Sequence, residues 1–119
     1  MLGALPFAKS LSLMAESKIL LNYCKIFTHG AHERVFYGLS RGAAVLTDPS
    51  AFLEEDFTRG LGLVEQSGDL TVIDDLVSDL CASPDTLDRL RAQGLDVYSQ
   101  RHTWYERMTR VFTIGERIP

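Results

Sequence analysis

Apolar positions recur along this chain at two spacings, one helical and one continuous. Phe7, Leu11, Leu13 and Met14 make a partly helical face from about Phe7 to Glu16, and Pro6 suits its first turn. Ser17-Lys18-Ile19-Leu20-Leu21-Asn22-Tyr23 reads as a strand with an apolar centre. Thr28-His29-Gly30-Ala31 is a loop by composition. A helix follows from about His32 to Arg41, with Val35, Phe36 and Leu39 on one face and Gly42 as its stop. Ala43 to Thr47 is a short continuous apolar run, which predicts a strand covered on both faces. Asp48-Pro49-Ser50 predicts a turn.

Beyond that turn the pattern becomes mainly helical. Ala51 to Thr58 predicts a short helix with Glu54, Glu55 and Asp56 on its exposed side. Gly60 and Gly62 bracket a further turn, and Leu61 to Val64 fits a short edge strand. Thr71-Val72-Ile73-Asp74 has a capping-box layout and opens a helix to about Cys81, with Val72, Leu76 and Leu80 on one face. Ser83-Pro84-Asp85 marks another helix start, and Gly94 is expected to interrupt that helix. A last helix from about Thr103 to Ile114 carries Trp104, Met108, Val111 and Phe112.

Strands alternating with helices predict an α/β chain. The expected architecture is a partial Rossmann-like three-layer domain, a short parallel sheet flanked by helices. Length and composition narrow this further. The chain has 119 residues, enough for one domain, spanning 1–119, and it is 45% hydrophobic and 24% charged. A net charge of −4, with basic residues spread along the chain, gives no footprint for nucleic acid. Cys24 and Cys81 lie far apart in apolar surroundings, so two buried free thiols in a reducing compartment are expected, with no metal site. The apolar start from Met1 to Leu13 is broken by Lys9 and Ser10, and no apolar run is long enough to span a membrane. A cytoplasmic protein without a transmembrane segment is the expectation.

Candidate chemistry concentrates between residues 29 and 48. A helix opening on His32, Glu33 and Arg34 gathers polar side chains and free backbone N–H groups at one point. A strand ending in Thr47-Asp48 delivers more polar groups to the carboxyl edge of the sheet, where ligands bind in open α/β sheets.

Four segments then carry a family likeness. They are Ser17-Lys18-Ile19-Leu20-Leu21-Asn22, His32-Glu33-Arg34-Val35-Phe36, Gly42-Ala43-x-Val45-Leu46-Thr47-Asp48 and His102-Thr103-Trp104-x-x-Arg107. In this order they resemble the C-terminal domain of the GT-B, group-one glycosyltransferases, in the branch related to the spore-maturation CgeB-like proteins. The likeness covers about residues 3 to 112. It implies a Rossmann-like domain that holds a nucleotide-diphosphate sugar and passes the sugar to an acceptor bound by an N-terminal domain. That N-terminal domain, and the glycine-rich loop that grips the diphosphate, are expected upstream of residue 1. The chain alone is expected to be inactive, with weak or absent donor binding and a tendency to self-associate. No cofactor is implied.

The resemblance makes His29, His32, Glu33, Arg34, Tyr37, Thr47 and Asp48 the substrate-binding candidates and leaves the catalytic residues unassigned. Physical reasoning agrees for part of this set. Diphosphate suits a helix N-terminus, Arg34 can add a bidentate contact, and both would stabilise charge on the leaving group. The family's Glu-x7-Glu pattern is replaced here: His29 and Tyr37 occupy its positions. A phenol makes one hydrogen bond where a carboxylate holds two ribose hydroxyls.

Each candidate also has a structural role open to it. Arg34 can pair with Glu33 or Asp48, Glu33 can serve the helix dipole, and Asp48 can form the turn before Pro49. Thr103 can cap the last helix, Trp104 can anchor it to the sheet, and Arg107 can meet an acid. The alternative function is a small, non-catalytic α/β binding or interaction module. A flavodoxin-like signalling domain would need an acidic cluster at the strand ends and a lysine near the last strand, and neither arrangement is found.

Overall fold

The apolar run Ala43-Ala44-Val45-Leu46 forms the centre of the structure, a computed structural model that describes residues 3–24, 29–57, 62–65 and 69–119. Its elements in chain order are α1 (Phe7–Glu16), β1 (Ile19–Asn22), α2 (Glu33–Ser40), β2 (Ala44–Thr47), α3 (Ala51–Asp56), β3 (Leu63–Glu65), α4 (Leu70–Ala82), α5 (Pro84–Arg101) and α6 (Trp104–Glu116). The strands form a parallel sheet in the order β1-β2-β3. Ile19 lies opposite Ala44 and Asn22 opposite Thr47, while Val45 to Thr47 pair with Leu63 to Glu65.

Every residue of β2 is buried, because the central strand is covered by helices on both faces. Its side chains alternate between two cores. Val45 packs with Val35, Phe36 and Leu39 of α2 and with Leu53 and Phe57. Ala44 and Leu46 pack with Leu80 of α4 and with Leu87 and Leu90 of α5. Burying Leu39, Val45 or Leu46 completely contributes about 1.5–3 kcal/mol each. The result is helix, sheet, helix: the expected three-layer arrangement of a partial Rossmann-like domain.

Two glycine positions set how the layers meet. Gly42, with φ of +74°, makes the reversal between α2 and β2. The backbone carbonyl just after that reversal, that of Gly42, accepts a 2.7 Å hydrogen bond from Arg91 Nε of α5. Gly94 does not interrupt α5, which runs unbroken from Pro84 to Arg101. It is a point of close approach instead: a Cβ there would come within 2.6 Å of the Gly62 carbonyl oxygen and 2.7 Å of Leu39 Cδ2.

Other local expectations change for equally specific reasons. The start of α4 is capped by Asp69, whose carboxylate accepts from Thr71 N–H at 2.9 Å, so the helix begins before Thr71. Its buried face carries Ile73 and Leu80, and Val72 is exposed. Asp48-Pro49-Ser50 forms no turn and ends in a cap, Ser50 Oγ accepting from Leu53 N–H at 3.3 Å. Asp56 is no solvated acid, because α5 supplies its partner: Arg101 Nη1 donates to it at 2.6 Å. Cys24 and Cys81 are free thiols, the first half-buried and the second exposed, rather than both buried. Thr58, Gly60 and Leu61 lie outside the described residues.

Among the described residues no helix is long and apolar enough to cross a membrane. α6 starts where expected, with Thr103 Oγ1 accepting from Glu106 N–H at 3.2 Å. It buries none of its residues, and Trp104 is 64% exposed, so the tryptophan does not anchor the helix to the sheet.

Candidate functional site

The carboxyl ends of β1 and β2 are joined by polar side chains. Asn22, only 2% exposed, donates from Nδ2 to Thr47 Oγ1 at 3.0 Å. Thr47 Oγ1 lies 3.4 Å from Asp48 Oδ1. Asp48 in turn takes the Cys24 N–H between its two carboxylate oxygens, each at 3.1 Å. Arg34 reaches the network from α2, its Nη1 donating to Asn22 Oδ1 at 3.5 Å. A buried amide has donors and an acceptor to satisfy, and this arrangement engages both ends of Asn22.

α2 brings its N-terminus to the same edge. His32 is its cap: Nδ1 accepts the Arg34 N–H at 3.1 Å, and the His32 carbonyl accepts the Val35 N–H at 3.0 Å. These two backbone donors are therefore engaged within the helix end, not left free as the sequence suggested. A small cavity lies between the helix start and the strand ends, lined by Asn22, Cys24, His32, Thr47, Asp48 and Ser50 among others.

The structure thus divides the predicted set. His32, Arg34, Thr47 and Asp48 converge on the sheet edge. Glu33 and Tyr37, one helical turn apart, line a different cleft with Phe36 and Tyr98. Tyr37 also packs edge-to-face on Phe7 of α1, with ring centroids 5.2 Å apart. His29 is exposed in the bend before α2 and does not line the edge cavity. Arg34 pairs with neither Glu33 nor Asp48, and its partner is Asn22. Asp48 ties two strand ends together instead of forming a turn.

Asn22 was missed as a candidate. Its signal was present in the sequence: a lone amide closing an apolar strand, where a buried polar group needs a fixed partner. His102 is structural. It is 3% exposed, stacks on Phe57 with centroids 5.5 Å apart, and holds Nε2 3.0 Å from Asp56 Oδ2. That nitrogen makes no hydrogen bond among the described residues despite its closeness to the carboxylate. Burial pushes the imidazole below its ordinary range, Asp56 opposes the shift, and Arg107, Arg110 and Arg101 reinforce it. Arg107 forms no ion pair with an acid among the described residues. Its guanidinium lies 4.0 Å from the centre of the Phe36 ring.

No group of three or more metal-ligating side chains occurs among the described residues. What the edge can do is bind: a cation, a helix start and strand-end hydroxyl and carboxylate groups meet at the part of an α/β sheet that receives ligands.

A parallel sheet with helices on both faces and polar groups at its carboxyl edge defines a Rossmann-like α/β protein. The family described as glycosyl transferase-like matches residues 1–113, and the chain belongs to that family, with a glycosyltransferase-type function. No curated protein and no solved structure matches the chain.

Proposed function

We propose that this chain is the donor-binding part of a group-one, GT-B glycosyltransferase, taking a nucleotide-diphosphate sugar at the carboxyl edge of β1 and β2. The observation that carries this reading is Arg34 beside the Asn22–Thr47–Asp48 network at the start of α2. A guanidinium beside a helix N-terminus suits a diphosphate in the ground state and stabilises it as a leaving group. Asn22 positions Arg34, and Asp48 fixes the separation of the strand ends. The acceptor wall belongs to a second domain, so the chain by itself binds weakly and does not turn over. The CgeB-like branch is the finer assignment that fits the motif order.

A second reading, a non-catalytic α/β module, is favoured by particular contacts. Tyr37 packs on Phe7, the carboxylate of Asp48 is held by the Cys24 amide, and two α2 donors are used by the His32 cap. Titration with uridine and guanosine diphosphates, followed by NMR, separates the two. The donor reading expects amide shifts confined to residues 29–48 and an affinity about tenfold weaker in Arg34→Ala. Absence of any shift at millimolar nucleotide sinks it in favour of the module.

A further inference from the structure

A second cleft opens between the first turns of α2, the end of α5 and the start of α6. Aromatic rings wall it: Phe36, Tyr37, Tyr98 and Trp104. It encloses about 40 Å³ and opens directly to solvent, so a bound molecule would seat only part of its body there and rest the remainder against the rim. Arg34, Thr47 and Asp48 take no part in it.

Arg107 is the informative residue. Its guanidinium carbon lies 4.0 Å from the centre of the Phe36 ring, yet Nη2 is buried and has no hydrogen-bond partner among the described residues. A guanidinium has five donors and no acceptor, and leaving a buried donor unpaired costs about 1–3 kcal/mol. Glu33 lines the same cleft but forms no ion pair with it among the described residues. Asp56, the carboxylate that faces His102, is engaged by Arg101 at 2.6 Å. Arg107 and Arg110 therefore leave a positive field, which also helps to keep His102 neutral.

We propose that this cleft binds a small monocarboxylate with an aromatic or apolar body, its carboxylate accepting from Arg107 and its body resting on Trp104 and Tyr37. The unpaired Nη2 supplies the charge-assisted bond once the side chain shifts toward the cleft, and the rings supply the apolar contact. Glu33 at the rim sets selectivity, because its charge disfavours a dianion more than a monoanion.

Benzoate is the probe, and Trp104 is the reporter, being the single tryptophan of the chain. Titration of the full chain is expected to give saturable change in tryptophan fluorescence at millimolar benzoate. Arg107→Gln weakens binding about tenfold. Glu33→Gln strengthens it about twofold by removing like charge. The second variant keeps the test decisive if the first does not fold. The proposal is overturned by a linear, unsaturable response, by unchanged or weaker affinity in Glu33→Gln, or by inorganic phosphate binding as well as benzoate. Competition by uridine diphosphate would also overturn it, because the cleft would then belong to the donor site. Failure of the donor reading shows instead as silence at Arg34 and Thr47 and leaves this result untouched.

Discussion

His102 shows how one residue can be chemically conspicuous and structurally occupied. It lies between Phe36 and Phe57 with Asp56 against its outer nitrogen, and burial outweighs that carboxylate in setting its protonation. The fold holds its pKa below the 6.5 of a free imidazole. At lower pH the unfolded chain therefore binds the extra proton more readily than the folded one. The contribution of His102 is complete above 6.5 and is lost as pH falls through the folded value. Urea titrations between about pH 7 and pH 5 are expected to show stability falling with acidification, and His102→Gln to flatten that dependence. An unchanged slope in the variant would mean that the acid sensitivity comes from elsewhere. Asn22 carries the opposite lesson: an unremarkable residue type at a position where both ends of the amide are used.

Among the elements, α5 decides most about the architecture. Its first half places Leu87 and Leu90 in one core, and further along Val97 and Tyr98 reach the other. Such a crossing needs close approach, and the Gly62–Gly94 contact provides it. Helix propensity alone would make Gly94→Ala stabilising by about 1 kcal/mol. The added methyl would meet a backbone oxygen at 2.6 Å, and overpacking of this kind costs about 1–3 kcal/mol or more. A net loss of about 1–2 kcal/mol in chemical denaturation is expected. A stabilised variant would show that α5 can move away from β3 without penalty.

At the scale of the whole molecule, the chain is more extended than a sphere-like domain of its length. Its radius of gyration is 15.2 Å, against about 13.5 Å expected for a compact domain of this size. α6 accounts for much of this, since it carries no buried residue and leaves Trp104, Val111 and Phe112 largely in solvent, Phe112 at 66%. Among the described residues, the outer edges of β1 and β3 carry no further strand and add unpaired backbone. Exposed apolar surface of this kind favours association. Sedimentation is expected to show concentration-dependent self-association that Phe112→Glu reduces, with stability altered by no more than about 0.5 kcal/mol. Monomeric wild-type protein at high concentration would contradict it.

The local pattern of apolar residues was enough to fix α2 and β2 closely, because a stripe or run of apolar side chains leaves a short segment few ways to bury itself, and the same periodicity placed α1 and α6, although neither buries a residue. The Thr103 cap and the proline start of α5 were equally legible, each depending on a few neighbouring residues. The polar segment from His32 to Asp48 also announced itself, as did its resemblance to glycosyltransferases. Where those side chains point was settled only by tertiary structure. α2 turns His32 and Arg34 toward the strand ends while Glu33 and Tyr37 face another cleft. Asp48 is committed to Cys24, Arg107 to Phe36, and Gly94 to the Gly62 backbone. Each of these partners is distant in sequence. Sequence spacing encodes which face a residue occupies, but the neighbour waiting on that face is set by how the layers pack.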